Sequence, residues 1–194
     1  MIILRYMAMT RAVLSMGLFI CASITICAQS AIWKSNKGTL KIESDAPLEL
    51  IRAKSDKVIG AIDPLSKSFA VTLNINSFVG FNSELQQTHF MENYMEQSKF
   101  PTAKFTGKII EDIPFDQPGQ YEVRAKGNLE IHGIVKERII QGTLIIRNGI
   151  VQIQSSFLVP VSDHGINIPK IVSQKIAEQI RVNIEMEFSK DIKL

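Results

Sequence analysis

From Gln120 to Ile131 the chain alternates polar and apolar side chains without a break. Tyr121, Val123, Ala125, Gly127, Leu129 and Ile131 fall on one side; Gln120, Glu122, Arg124, Lys126, Asn128 and Glu130 fall on the other. A period of two is the signature of a β-strand with one dry face. The run is long for a strand in a small flat sheet, and its inner face carries the small residues Ala125 and Gly127. Both features fit a curved barrel wall, where a bulky side chain would close the interior.

The same period recurs along the chain. Phe69, Val71, Leu73 and Ile75 share one face, as do Phe105, Gly107 and Ile109. Val151, Ile153, Ser155, Phe157 and Val159 form another such face, and Ile180, Val182, Ile184, Met186 and Phe188 form the last. Thr39 to Ser44 also alternates, with Trp33 ahead of it as a core plug. Leu48–Arg52 and Val58–Ile62 read as two short strands around a polar turn, Ser55-Asp56-Lys57. His132-Gly133 bends the chain into a returning strand, Ile134 to Arg147. Asn148-Gly149 is a strong hairpin signal, because a two-residue type I′ turn needs positive φ at both positions. Seven to nine antiparallel strands joined by short turns predict an all-β barrel or sandwich.

Two segments break the pattern. Ser83 followed by Gln86 has capping-box spacing, which predicts a helix start in which the hydroxyl takes a first-turn N–H and the amide reaches back. Leu85, His89, Phe90, Met91, Tyr94 and Met95 recur at helical spacing, and Phe100-Pro101 is expected to end the helix. A second short helix is expected from Pro169, a good first helical residue, with Ile171, Val172, Ile176 and Ala177 as its apolar stripe.

The residues His89-Phe90, Tyr94, Phe100-Pro101, Phe105 and Gly107 resemble the helix-to-strand crossover of the YceI-like family. Gly127 to Lys136, GNLEIHGIVK, resembles that family's following hairpin, in the family's order and spacing. The chain departs from the pattern at Leu85-Gln86-Gln87, where an Arg-Asp pair is common, and at Asp163 to Pro169. The resemblance covers roughly residues 29–194 and selects the barrel: an all-β, lipocalin-like, antiparallel up-and-down barrel of about eight strands with one or two short helices. It also implies an exported protein that holds a long isoprenoid or similar lipid chain in an apolar tunnel. On that reading the candidate lining is Phe69, Val71, Leu73, Phe90, Tyr94, Phe105, Ile109, Tyr121, Val123, Ala125, Gly127, Leu129, Ile153, Phe157, Val182, Ile184 and Met186.

Residues 1–28 read as a cleavable leader. Arg5 and Arg11 precede an apolar run, Ala12 to Ile26, and Ala28 is a small residue suited to cleavage. The expected location is the periplasm or the exterior. That apolar run is shorter than the roughly 20 residues a spanning helix needs, so an integral membrane protein is not expected. Removing Arg5 and Arg11 from the 22 basic residues leaves 20 against 19 acidic ones. Such a near-neutral chain lacks the basic footprint of a nucleic-acid binder. Both cysteines, Cys21 and Cys27, lie in the leader, so the remaining chain must be stabilised by its core and not by disulfides.

No nucleophile or nucleotide motif is present, so neither catalysis nor a cofactor is implied. His89, His132 and His164, with Asp163, lack the paired spacing of metal ligands. His89 is expected to cap the contact between helix and barrel, His132 to satisfy backbone groups at the bend, and His164 to be a simple turn residue. The alternative to a lipid carrier is a filled barrel acting through its surface or through homodimerisation along an exposed strand.

Overall fold

A computed structural model describes residues 32–190; the leader expected at 1–28 lies outside the described residues. Eight strands form one closed antiparallel barrel in chain order. They are β1 (Trp33–Asp45), β2 (Leu50–Asp63), β3 (Ser68–Asn74), β4 (Thr102–Ile109), β5 (Gly119–Ile131), β6 (Ile134–Arg147), β7 (Ile150–Pro160) and β8 (Gln179–Ser189). β8 closes on β1, from Glu43↔Arg181 to Lys34↔Ser189. Both predicted hairpins form. His132 and Gly133 have φ of 53° and 71°, and Asn148 and Gly149 have φ of 50° and 72°, as the twist of paired strands requires.

The two strands expected on either side of Ser55 are one continuous strand, β2. Ser55 is fully buried and its hydroxyl lies 2.6 Å from that of Ser77, so a residue that reads as turn in sequence is a satisfied polar group inside the wall. β1 absorbs the mismatch with register shifts on both sides of Gly38.

The helix α1 (Glu84–His89) continues as a π-turn, Phe90–Tyr94. Ser83 caps it, with the Gln86 N–H donating to Ser83 Oγ at 3.2 Å. The returning half of the box is displaced by one residue: Asn82 N–H, not Ser83 N–H, donates to Gln86 Oε1. The helix stops well before Phe100-Pro101, because Glu96 adopts φ of 41°, a left-handed conformation that no helix continues through.

The helix expected at Pro169 does not form. Pro169 is extended, with ψ of 141°, and only a 3₁₀ turn, Lys170–Val172, follows. Ile171 is 92% exposed. The segment is tied instead to the β1–β2 turn, where Leu48 N–H donates to the Gln174 carbonyl and Ala177 N–H donates to Ser44 Oγ. Those tethers hold the backbone in a path across the barrel end that a regular helix could not follow.

The two ends of the barrel differ. At one end Trp33, Leu144, Ile146 and Val151 are buried, and Trp33 packs on Phe115 with ring centroids 6.2 Å apart. That end is a floor of close-packed apolar side chains. At the other end lie the β1–β2 turn, α1 and the crossover at 161–178.

Candidate ligand-binding site

Between the floor and the α1 end the barrel is hollow. The cavity measures about 540 Å³ and its lining is predominantly apolar, within the size range of small-molecule sites. Its walls are the inward side chains of alternating positions: Leu40 and Ile42 from β1, Phe69, Val71 and Leu73 from β3, Phe105 from β4, Val123 and Leu129 from β5, Ile153 and Phe157 from β7, and Val182, Ile184 and Met186 from β8. Phe69 and Phe105 meet as a tilted pair, 4.9 Å between centroids. The cavity ends on Ile62 and Phe188, which are 1% exposed and rest on the floor.

Of the lining residues named from sequence, all but Tyr121 and Gly127 line this cavity. Tyr121 lies too near the closed end; its hydroxyl donates to the Gln117 carbonyl at 3.3 Å, and it packs against the core. Gly127 has the inward parity but no space in front of it. It faces Gly107 across the β4–β5 ladder, and a Cβ on Gly127 would lie 3.0 Å from the Gly107 Cα and closer still to the Thr106 carbonyl oxygen. The two glycines let the strands approach at a sharply coiled part of the wall.

The open end carries the polar groups. Glu49, Ser83, Gln86, His89 and Lys175 line it, among Leu85, Ile168, Val172 and Ile176. Gln86 Nε2 donates to Glu49 Oε1 at 2.9 Å, pinning α1 to the β1–β2 turn. Phe90 stacks between Phe78 and Phe81, with centroids at 5.3 and 5.0 Å, and Met95 and Tyr94 reach the cavity behind it. Burial pushes the Tyr94 phenol above its ordinary value, as desolvation of a phenolate requires. Met91 is buried but faces away from the tunnel. Sequence reasoning missed the rim because it is assembled from three separated loops, and missed Phe78, Phe81, Ile166 and Ile168 because none lies in an alternating run.

The histidines do not share a site. His89 stands exposed at the rim. His132 lies with Nδ1 3.2 Å from the His164 carbonyl and Nε2 3.1 Å from Glu96 Oε2, so it serves backbone at the bend as its position predicted. His164 is more than a turn residue: it is 1% exposed, with Nδ1 3.1 Å from the Ile134 carbonyl. Desolvation drives its pKa below the ordinary histidine value, against the opposing pull of the Ile134 carbonyl. Among the described residues no three His, Cys, Asp or Glu side chains gather as metal ligands would.

An eight-stranded up-and-down barrel with an apolar tunnel closed at one end defines a lipocalin-like binding barrel. A model of the YceI-like domain matches residues 36–188, and the chain belongs to the YceI-like family. Among solved structures, the chain is similar to a polyisoprenoid binding domain from Saccharophagus degradans implicated in plant cell wall breakdown. The TM-score is 0.68 at 12% identity, covering 83% of this chain and 99% of that one. BcnA of Burkholderia cenocepacia gives a TM-score of 0.64 at 13% identity, covering 78% and 96%. The YceI protein of Campylobacter jejuni gives 0.52 at 19% identity, covering 68% and 78%. At these identities the likeness is one of fold. No curated protein matches the chain.

Proposed function

We propose that this chain is an exported carrier that sequesters an amphiphile with a long apolar chain, of the polyisoprenoid class, and performs no catalysis. The observation that carries the reading is the apolar cavity of about 540 Å³, open at one end only. Each CH₂ equivalent buried contributes about 0.8 kcal/mol, so ten such groups supply about 8 kcal/mol. That corresponds to a dissociation constant on the order of 1 μM before ordering costs, with no polar contact required. The rim of Glu49, Gln86, His89 and Lys175 meets the head group, which stays at the water boundary. The polyisoprenoid binding domain with the same fold supports the ligand class, and the leader reading of residues 1–28 supports export. No helix among the described residues is long and apolar enough to cross a membrane.

Native mass spectrometry with organic extraction, on protein purified from a bacterial host, tests this. A lipid adduct of a few hundred daltons on a chain beginning near Gln29 is the expected result. A bare mass that stays unshifted after incubation with polyprenols and fatty acids would sink the carrier reading.

A further inference from the structure

The wall of the barrel is uneven. β6 and β7 pair at only five positions, from Thr143↔Gln154 to Arg147↔Ile150, although β6 starts at Ile134 and β7 runs to Pro160. β2 and β3 also share few pairs, but there the Lys54↔Val79 bridge carries the backbone ladder onward. Beyond Thr143 no such bridge joins β6 to β7 among the described residues, and the two strands part toward the open end.

Side chains close the resulting wedge. Ser155 Oγ donates to the Gln141 carbonyl at 2.5 Å. Arg138 reaches across to donate to the Leu158 carbonyl at 2.7 Å and to the Asp163 carboxylate at 3.2 Å. The 3₁₀ turn Val161–His164 fills the space between, with the His164 ring buried against the Ile134 carbonyl. The tunnel reaches the inner side of this wedge, where Gly142, Ser155 and Phe157 line it. On its outer flanks Ile139 and Leu158 are 58% and 41% exposed. Between the tunnel and these exposed side chains the wedge is therefore held by a few side-chain hydrogen bonds instead of a backbone ladder, and those bonds are the easier set to break and remake.

From this juxtaposition we propose that the wedge between β6 and β7 is a lateral gate, through which the apolar chain of the ligand enters and leaves the tunnel sideways. Arg138 is its latch. The inference rests on the carrier reading above. Sideways loading spares a long chain from threading end-first through the polar rim, and it lets the head group stay near the surface the lipid comes from.

The test is the rate at which the full chain, carrying Cys21→Ser and Cys27→Ser, exchanges a fluorescent polyene fatty acid with phosphatidylcholine vesicles. Arg138→Ala should speed exchange in both directions by about tenfold, the effect of losing a charge-assisted hydrogen bond, while equilibrium binding stays within about threefold. Gly142→Cys with Ser155→Cys should staple the apex: a Cβ built on Gly142 lies 3.2 Å from the Ser155 Cβ and 2.9 Å from the Gln154 carbonyl oxygen, so the strands must part slightly to reach the roughly 3.8 Å of a disulfide. Oxidation should slow exchange, and reductant should restore it. Unchanged exchange in both variants, with slowing instead by Lys175→Trp at the rim, overturns the gate and leaves the carrier reading standing. A parent chain that takes up no probe overturns the carrier reading and the gate together.

Discussion

Ala125 and Gly127 lie two residues apart on β5, share the same inward parity, and should respond oppositely to enlargement. Ala125 lines the tunnel, so a phenylalanine there has free space to occupy and adds six carbons to the interior. If each displaced CH₂ equivalent of ligand forfeits about 0.8 kcal/mol, full exclusion of six costs about 5 kcal/mol. A flexible chain bends around part of the ring, so half of that, about 2.5 kcal/mol, is the expected loss for Ala125→Phe, or roughly 70-fold in Kd. Titration with a fluorescent fatty acid, displaced by geranylgeraniol, reads this directly. Urea unfolding of the same variant should show a change within about 1 kcal/mol, since no packed neighbour is displaced. Affinity within threefold of the parent, with the fold intact, would refute the claim that the chain passes Ala125.

At Gly127 the outcome reverses. Its Cβ position collides with the Thr106 carbonyl, so Gly127→Ala should cost about 3 kcal/mol and lower Tm by roughly 10 °C, measured by thermal circular dichroism. Ser35 is fully buried and its Oγ has no hydrogen-bond partner among the described residues; Ser35→Ala should therefore raise stability by about 1 kcal/mol in urea titration, and a loss would contradict that reading. His164 has a depressed pKa in the folded state, so the unfolded chain binds its proton first. Stability from this group is complete above the ordinary value of 6.5 and is lost as pH falls through it toward the folded value. Urea midpoints should fall across that window and fall less in His164→Gln. Glu111, held below the usual carboxylate range by the Arg124 N–H and guanidinium, should act only at more acid pH.

Alternation made most of the wall legible, because in a barrel with one dry face parity alone assigns inside and outside. Parity does not report depth. Tyr121 and Ala125 share a face, yet the stagger of the strands puts one in the floor and the other in the tunnel. β2 was hidden by Ser55, whose buried hydroxyl is satisfied by Ser77 from a different element, a partner that no local pattern announces. The segment after Pro169 failed for a related reason. Its helical spacing is real, but Val172 and Ile176 turn toward the tunnel while tethers to Ser44 and Leu48 fix the backbone. The helix cap was readable at Ser83 because a cap is local chemistry, whereas the rim joining Glu49 to Gln86 is a product of closure.

The packed floor makes the tunnel a measuring device. Along β8 the cavity runs from Ile180 to Phe188, which at about 3.3 Å per residue and a tilt near 40° gives a depth of roughly 20 Å. A chain shorter than this depth leaves the bottom of the shaft unfilled, while a longer one reaches Ile62 and Phe188 and then has to double back. On the carrier reading, Trp33 and Phe115, far from the rim, would thereby set which chain lengths are favoured.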